Sequence, residues 1–427
     1  MQKKPGVDSG IATLLRMTQR LASGLVNKSS GLIRSYRLTR HKHPLLLDRE
    51  FSQHLTSLLT SAPEHDTLQR ASPSELQLCE DIHNETIQLN RNNITRTEAY
   101  WQMYKTFPEL HWALLAHLVS RNGGWSMTDL KGQWLPALLD KALIAATFDL
   151  LEACNSLIFG DAYPQLRLYA ESKRLDRNLF FLLPRFGVSA FMHPIWNRFW
   201  LDQDPVPLTI ALVVNEQNFI QSRVVEDGRY KQHVFSSLSF RSQPLLQMNQ
   251  IVFPLSQEGN SNRGNPMRLA GRVLENFEDL QERIGFGKSL YGMLFGYPAV
   301  LERVIAFCER VMHTGSRADY WPHCFTFTCK QITGGKPMRA EHAAGLLSSL
   351  WFSPMLSEAW PDRPIVPATE GDWYRDTDVL AFMTKIRLPR IIDMTHEHLF
   401  GQNKLQAAVL LERSFMKGAS RRRTGRG

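Results

Sequence analysis

The sequence predicts a mostly α protein, an orthogonal helical bundle with room for one small β-hairpin. Three observations carry that reading: a composition fit for a large core, a series of helix-start signatures with helical periodicity behind them, and few strand signals. The 427 residues are 43% hydrophobic and 10% aromatic, enough for a sizeable core and too apolar for a disordered chain. At this length one large unit or two interlocked subdomains are expected.

Four helix-start signatures fall within sixty residues: Ser72-Pro-Ser-Glu75, Thr95-Arg-Thr-Glu98, Thr106-Phe-Pro-Glu109 and Ser126-Met-Thr-Asp129. In each, a hydroxyl would accept from a first-turn N–H while the acid three residues on reaches back. The apolar stretch from Pro108 to Val119 therefore reads as a helix capped by Thr106 and stopped at Gly123-Gly124, with another beginning near Ser126. Further helical runs are expected at 137–158, 207–225, 266–284, 298–313, 339–351, 376–386 and 395–416. Strand signals are few. Cys324–Cys329 alternates with aromatic and β-branched residues, and 234–240 and 251–253 are weaker candidates. No internal repeat is present.

The net charge of +9 is unevenly distributed. Residues 1–42 carry nine Lys/Arg against Asp8 alone, and residues 412–427 carry six against Glu412, which leaves the middle mildly acidic. High basicity here describes two cationic ends and not a nucleic-acid-binding fold; nucleic acid is expected only through those ends. The layout is a basic amphipathic extension (1–42), a linker (43–73), a helical body (74–411) and a basic, disordered tail (412–427). In the extension Ile11, Leu14, Leu15, Leu21 and Leu25 follow a helical period with Arg16 and Arg20 between them. Such a helix suits an anionic membrane surface and equally an organelle transit peptide. Arg421, Arg422 and Arg423 form the second phosphate-seeking group. No apolar run approaches the roughly 18–20 residues of a transmembrane helix. Five cysteines without CxxC spacing indicate reduced thiols and a cytoplasmic setting.

Motifs for chemistry are scarce. His111 and His117 lie six apart, which turns them roughly 120° from one another on a helix, so they cannot share an ion. Buried histidines satisfied by their neighbours are the simpler reading. The functional reading places His111 or His117 with Arg121, Asn122 and Asp129 around a cleft, where N–H groups of the 126–129 turn and Arg121 form an anion pocket. A second polar cluster, Asn215-Glu216-Gln217-Asn218, interrupts an apolar helix, and Glu216 is expected to pair with Arg223 two turns on. His313, His323, Cys324 and Cys329 have zinc-type donors without paired short spacing, so no metal and no cofactor are assigned. Asp376-Thr-Asp378 reads as a helix cap, and Thr395 as the cap of the final helix. Gly287-Lys288-Ser289 lacks the earlier glycine and the strand of a phosphate loop.

The segment NITRTEAYWQMYKTFPELHWALLAHLVSRNGGWSMTDLKG (93–132) resembles a family from Bacillus-type Gram-positive bacteria catalogued as a domain of unknown function. Its most distinctive block is Arg-Asn-Gly-Gly-Trp-x-Met-Thr-Asp-Leu. The likeness continues through VVNEQNFIQSRVV (213–225) and GKSLYGMLFGYP (287–298), covering about 75–400. The resemblance implies an intracellular, bacterial, helical protein, removes the organelle reading and carries over no catalytic residue. Two function classes follow. The preferred one is a non-enzymatic protein that binds a protein partner or an anionic membrane surface peripherally through its basic ends. The alternative is an enzyme or small-anion-binding protein with a pocket around His111/His117, Arg121 and Glu216.

Overall fold

A computed structural model describes residues 28–47, 71–236, 249–256, 267–328, 350–363 and 371–424, together with positions 55, 57 and 59, and side chains as far as residue 412. The amphipathic run with Arg16 and Arg20, Arg421–Arg423 as side chains, and residues 329 and 339–349 lie outside this description.

Eight α-helices are used as landmarks: α1 (Lys28–Leu38), α2 (Pro73–Leu89), α3 (Asn93–Thr106), α4 (His111–Asp129), α5 (Lys141–Leu175), α6 (Met192–Asp202), α7 (Pro205–Ile220) and α8 (Leu280–Phe295). After them come α9 (Pro298–Arg310) and α10 (Thr395–Thr424). The first strand pair is antiparallel, β1 (Gln250–Leu255) with β2 (Arg268–Val273), and a second pair is parallel, β3 (Phe325–Thr326) with β4 (Trp351–Phe352). Helices α8 and α9 meet at 89°, so the bundle is orthogonal, and the mostly α expectation with a small β element holds.

Several helices start where a side chain tells them to. Ser72 and Glu75 form a reciprocal capping box at α2 with Pro73 in the first turn. Asp140, Asp204 and Asp279 each accept from a first-turn N–H of α5, α7 and α8. Asp376 caps a short 3₁₀ turn at Thr377–Phe382, in the run expected to be a helix to 386.

Other expectations need correction. Thr106 does not cap α4. It ends α3, its hydroxyl donating back to Gln102 O at 2.9 Å, and α4 begins after Leu110 without a side-chain cap. The box at α3 is Asn92 with Thr95, three residues ahead of the expected start. Helix α4 runs straight through Gly123-Gly124, so Ser126 starts nothing. The glycines serve packing: a Cβ at Gly124 would lie 2.4 Å from Asn93 Oδ1 and 2.6 Å from His313 Nε2. The 266–284 run is not helical throughout. It holds β2, where a Cβ at Gly271 would lie 2.5 Å from Ile251 O, and α8 begins only at Leu280. Thr395 is the first residue of α10 and accepts from Leu269 N at 3.0 Å, whereas Asp393 accepts from Thr395 N. Helix α10 passes the expected end at 416 and crosses the boundary drawn at 411/412, continuing to Thr424.

Helix α5 is, by length and apolarity alone, able to cross a membrane, contrary to the expectation that no run reaches that size. Here it forms the spine of the bundle, packed by α2, α3, α4 and α7. Its interior carries polar groups that find partners there: Gln165 accepts from Trp196 Nε1 at 2.8 Å and donates to Asp161 Oδ2 at 2.9 Å.

Candidate functional site

Helices α4, α5, α7 and α8 do not close completely on one another. Between them lies a cavity of about 250 Å³. Protein interiors are close-packed, with few voids larger than one water, which needs only about 10–15 Å³ by the same measure. The walls are largely apolar. Helix α5 presents Leu143, Leu150, Leu151, Cys154 and Ile158, and α4 presents Leu115, Ala116 and Val119. Both sets recur at helical spacing, so each helix turns a mainly apolar face toward the space, with Thr147 and Asn155 of α5 and Ser120 and Ser126 of α4 among it.

Polar groups gather where α7 faces α8. Glu216 accepts from Trp112 Nε1 at 3.2 Å and from Gln217 Nε2 at 3.1 Å. Gln217 in turn accepts from Arg283 Nε at 2.9 Å, which links carboxyl to guanidinium through one amide. Arg283 also donates to Phe277 O at 2.6 Å, to Gln217 O at 3.5 Å and to Gln221 Oε1. Glu216, Gln217 and Arg283 all line the cavity. Gly287 lets α8 close on α7, since a Cβ there would lie 2.7 Å from Val213 Cγ1.

Burial pushes the Glu216 carboxyl up to about 8, with the nearby Asp161 adding to the rise and the bonds from Gln217 and Trp112 opposing it. Glu216 is therefore mainly a neutral acid at pH 7. Asp161 is itself pushed up to about 7 by burial. Burial also pushes the Cys154 thiol up to about 12, so this lining residue makes a poor nucleophile. The expected Glu216–Arg223 pair is not formed: Arg223 donates to Phe219 O at 3.1 Å and Gly371 O at 2.8 Å and stacks on Phe219.

The structure divides the other candidates. Asn122 lines the cavity with Glu216, and its amide also clamps β1, donating to Val252 O at 2.8 Å and accepting from Val252 N at 2.9 Å. His111 stacks on Phe295 at 3.8 Å, and its Nδ1 lies 3.0 Å from Tyr291 Oη; burial takes its pKa down to about 3. His117 donates from Nδ1 to Thr97 O at 2.8 Å and accepts from Arg121 Nε at 3.0 Å. Arg121 then reaches Val311 O and lies over the Phe307 ring. The anion pocket of Arg121 with the 126–129 amides does not exist, because those N–H groups are inside α4. Asp129 faces away to Arg317 at 2.7 Å.

Sequence reasoning missed Arg283, Trp112 and the cavity itself. The apolar stripe on α5 is the same signal a core face gives, and Arg283 lies in the run mistaken for helix from 266. Gly287-Lys288-Ser289 sits within α8, where Lys288 Nζ donates to Phe382 O at 2.9 Å and Thr384 Oγ1 at 2.8 Å. Among the described residues, no group of three or more His, Cys, Asp or Glu is placed to hold a metal ion.

Fold and site together define a mostly helical protein with a largely apolar cavity that Glu216, Gln217 and Arg283 also line. Over residues 88–403 the chain matches the family described as "Protein of unknown function (DUF2515)", and it belongs to that family. It is 35% identical over 342 residues to "Uncharacterized protein YppC" of Bacillus subtilis (strain 168), covering 80% of this chain and 97% of that relative. The resemblance read from residues 93–132 is borne out. No solved structure matches.

Proposed function

We propose that this protein is a non-enzymatic binding protein that takes an apolar small molecule into the cavity between α4, α5, α7 and α8. The observation that carries this reading is the cavity itself: about 250 Å³ of space with largely apolar walls, lined also by Glu216, Gln217 and Arg283. Its chemistry favours holding over reacting, since the thiol on its wall keeps its proton and Glu216 is fixed between a tryptophan and an amide. A neutral apolar dye such as N-phenyl-1-naphthylamine should bind saturably, one per chain. Ala116→Phe, which projects a ring into the cavity, should weaken it about tenfold or more. Absence of saturable binding, or equal binding by the variant, overturns the reading.

A second reading, peripheral association with an anionic membrane surface, is favoured by α1. Leu32, Ile33 and Tyr36 lie on one face and are 51%, 58% and 69% exposed, with exposed Arg37, Arg40 and Lys42 following. The cations are dense here: after burial, Arg34, Arg303 and Arg37 all push the Arg268 guanidinium down, opposed by Asp393. Apolar side chains rimmed by basic ones match the interface of an anionic bilayer. Vesicles containing anionic lipid should sediment the full chain, and the double variant Ile33→Asp/Tyr36→Asp should be retained about tenfold less. Equal sedimentation of the two proteins removes this reading.

A further inference from the structure

Among the polar groups lining the cavity, Arg283 carries a charge. Arg283 is 3% exposed, and its four hydrogen bonds all go to neutral oxygens, those of Gln217, Phe277 and Gln221. Asp279 and Glu226 act on it only through space. A buried guanidinium usually has a carboxylate beside it, because desolvation of the charge is costly without one. Two acids stand one amide away: Glu216, turned to Trp112, through Gln217, and Glu226 through Gln221. Among the described residues, Arg283 therefore lines a largely apolar cavity as a cation with no carboxylate bonded to it, and Glu216 and Trp112 line the same space.

Resting on the cavity reading above, we infer that the ligand is a long-chain carboxylate whose head group lies against Arg283 and Glu216 and whose chain runs along the α4–α5 wall. The head group supplies the anion that Arg283 lacks. Four of its five N–H groups are committed, which leaves one Nη1–H for the head group, and a charge-assisted bond of this kind is roughly twice as strong as a neutral one. A carboxyl group at Glu216 has an O–H to donate to the same head group. The chain then meets Leu150, Leu151 and Ile158 of α5, the apolar part of that wall. A cationic head group here would face Arg283 directly, so the arrangement discriminates by charge as well as by apolarity.

The test is displacement of the neutral dye from the full chain at pH 7 by decanoate, decanol and decylammonium, matched in chain length. The inference expects decanoate to compete about tenfold more strongly than decanol, with decylammonium weakest. Arg283→Gln should abolish the preference for decanoate while decanol still competes. The wild-type series stands by itself if that variant does not fold. Equal competition, a preference for the amine, or failure of all three against a dye that does bind overturns the head-group assignment and leaves the cavity reading intact. Failure of the dye itself overturns the cavity reading instead.

Discussion

Replacing Arg317 with methionine should lower the free energy of unfolding by roughly 3–5 kcal/mol, the cost of leaving one member of a buried pair without its partner. Arg317 donates to both oxygens of Asp129, from Nε at 2.9 and 2.8 Å and from Nη2 at 2.7 Å, in a largely buried setting. Its Nη1 also donates to Tyr320 Oη at 2.5 Å, and Tyr320 Oη lies 2.9 Å from His398 Nε2, whose Nδ1 faces Gln250 Oε1 at 3.0 Å. One guanidinium thus joins the end of α4 to α10 and β1. The carboxylate of Asp129 and the hydroxyl of Tyr320 hold Arg317 firmly protonated against its burial. Removing it strands Asp129 and slackens three elements at once. Denaturant unfolding followed by circular dichroism measures the loss, and the double variant Asp129→Leu/Arg317→Met should recover a large part of it, since no charge is then left unpaired. A change below about 1 kcal/mol for the single variant would show the pair to be peripheral to stability.

The second large effect concerns Glu216 and is read as a function of pH. Its carboxyl is pushed up from an ordinary 4.5 to about 8, so between those values the folded protein binds a proton that the unfolded chain releases. Stability from the neutral acid is fully present below about 4.5 and is lost as pH rises toward 8. Glu216→Gln keeps a neutral group there at every pH. The variant should match or fall slightly below the wild type at pH 4, then gain on it by up to about 1.4 kcal/mol per pH unit, levelling above pH 8. Asp161, itself raised to about 7, titrates in both proteins and largely cancels from the difference. Unfolding midpoints at pH 4, 6 and 8 decide it; parallel curves would mean that Glu216 ionises normally.

These residues show how far local reading carries. Ser72-Pro-Ser-Glu75 was legible because a capping box satisfies backbone donors with side chains three residues away, and nothing distant competes. Thr106-Phe-Pro-Glu109 has the same spelling and fails: Thr106 is already committed to Gln102 O at the end of α3. Gly123-Gly124 reads as a stop, since glycine is a poor helix former. It continues the helix because Asn93 and His313 press against that face at distances no side chain would allow. Glycine as a chain breaker and glycine as clearance look identical in sequence. The same holds for Gly271, whose neighbours hid a strand inside an apparent helical run.

The candidate site was half legible. Glu216 and Gln217 were visible as polar intruders in an apolar helix, and an acid in such a place must be paired or neutral. Arg283 was not, for its bond to Gln217 spans 66 positions. Nor could an apolar stripe on α5 announce whether it meets another stripe or a cavity.

Local spelling and composition settled the helical class, the caps at Ser72 and Asp376, the basic extremities and the family, because each depends on neighbours within a few positions or on counts alone. The packing of α4, α5, α7 and α8 settled the site: that four helices in contact still leave a space between them, that Asn122 shares the space while the histidines and Arg121 do not, and that a cation ends up there bonded only to neutral oxygens. Burial and pairing belong to the space between elements, and that space comes into being only when distant segments meet.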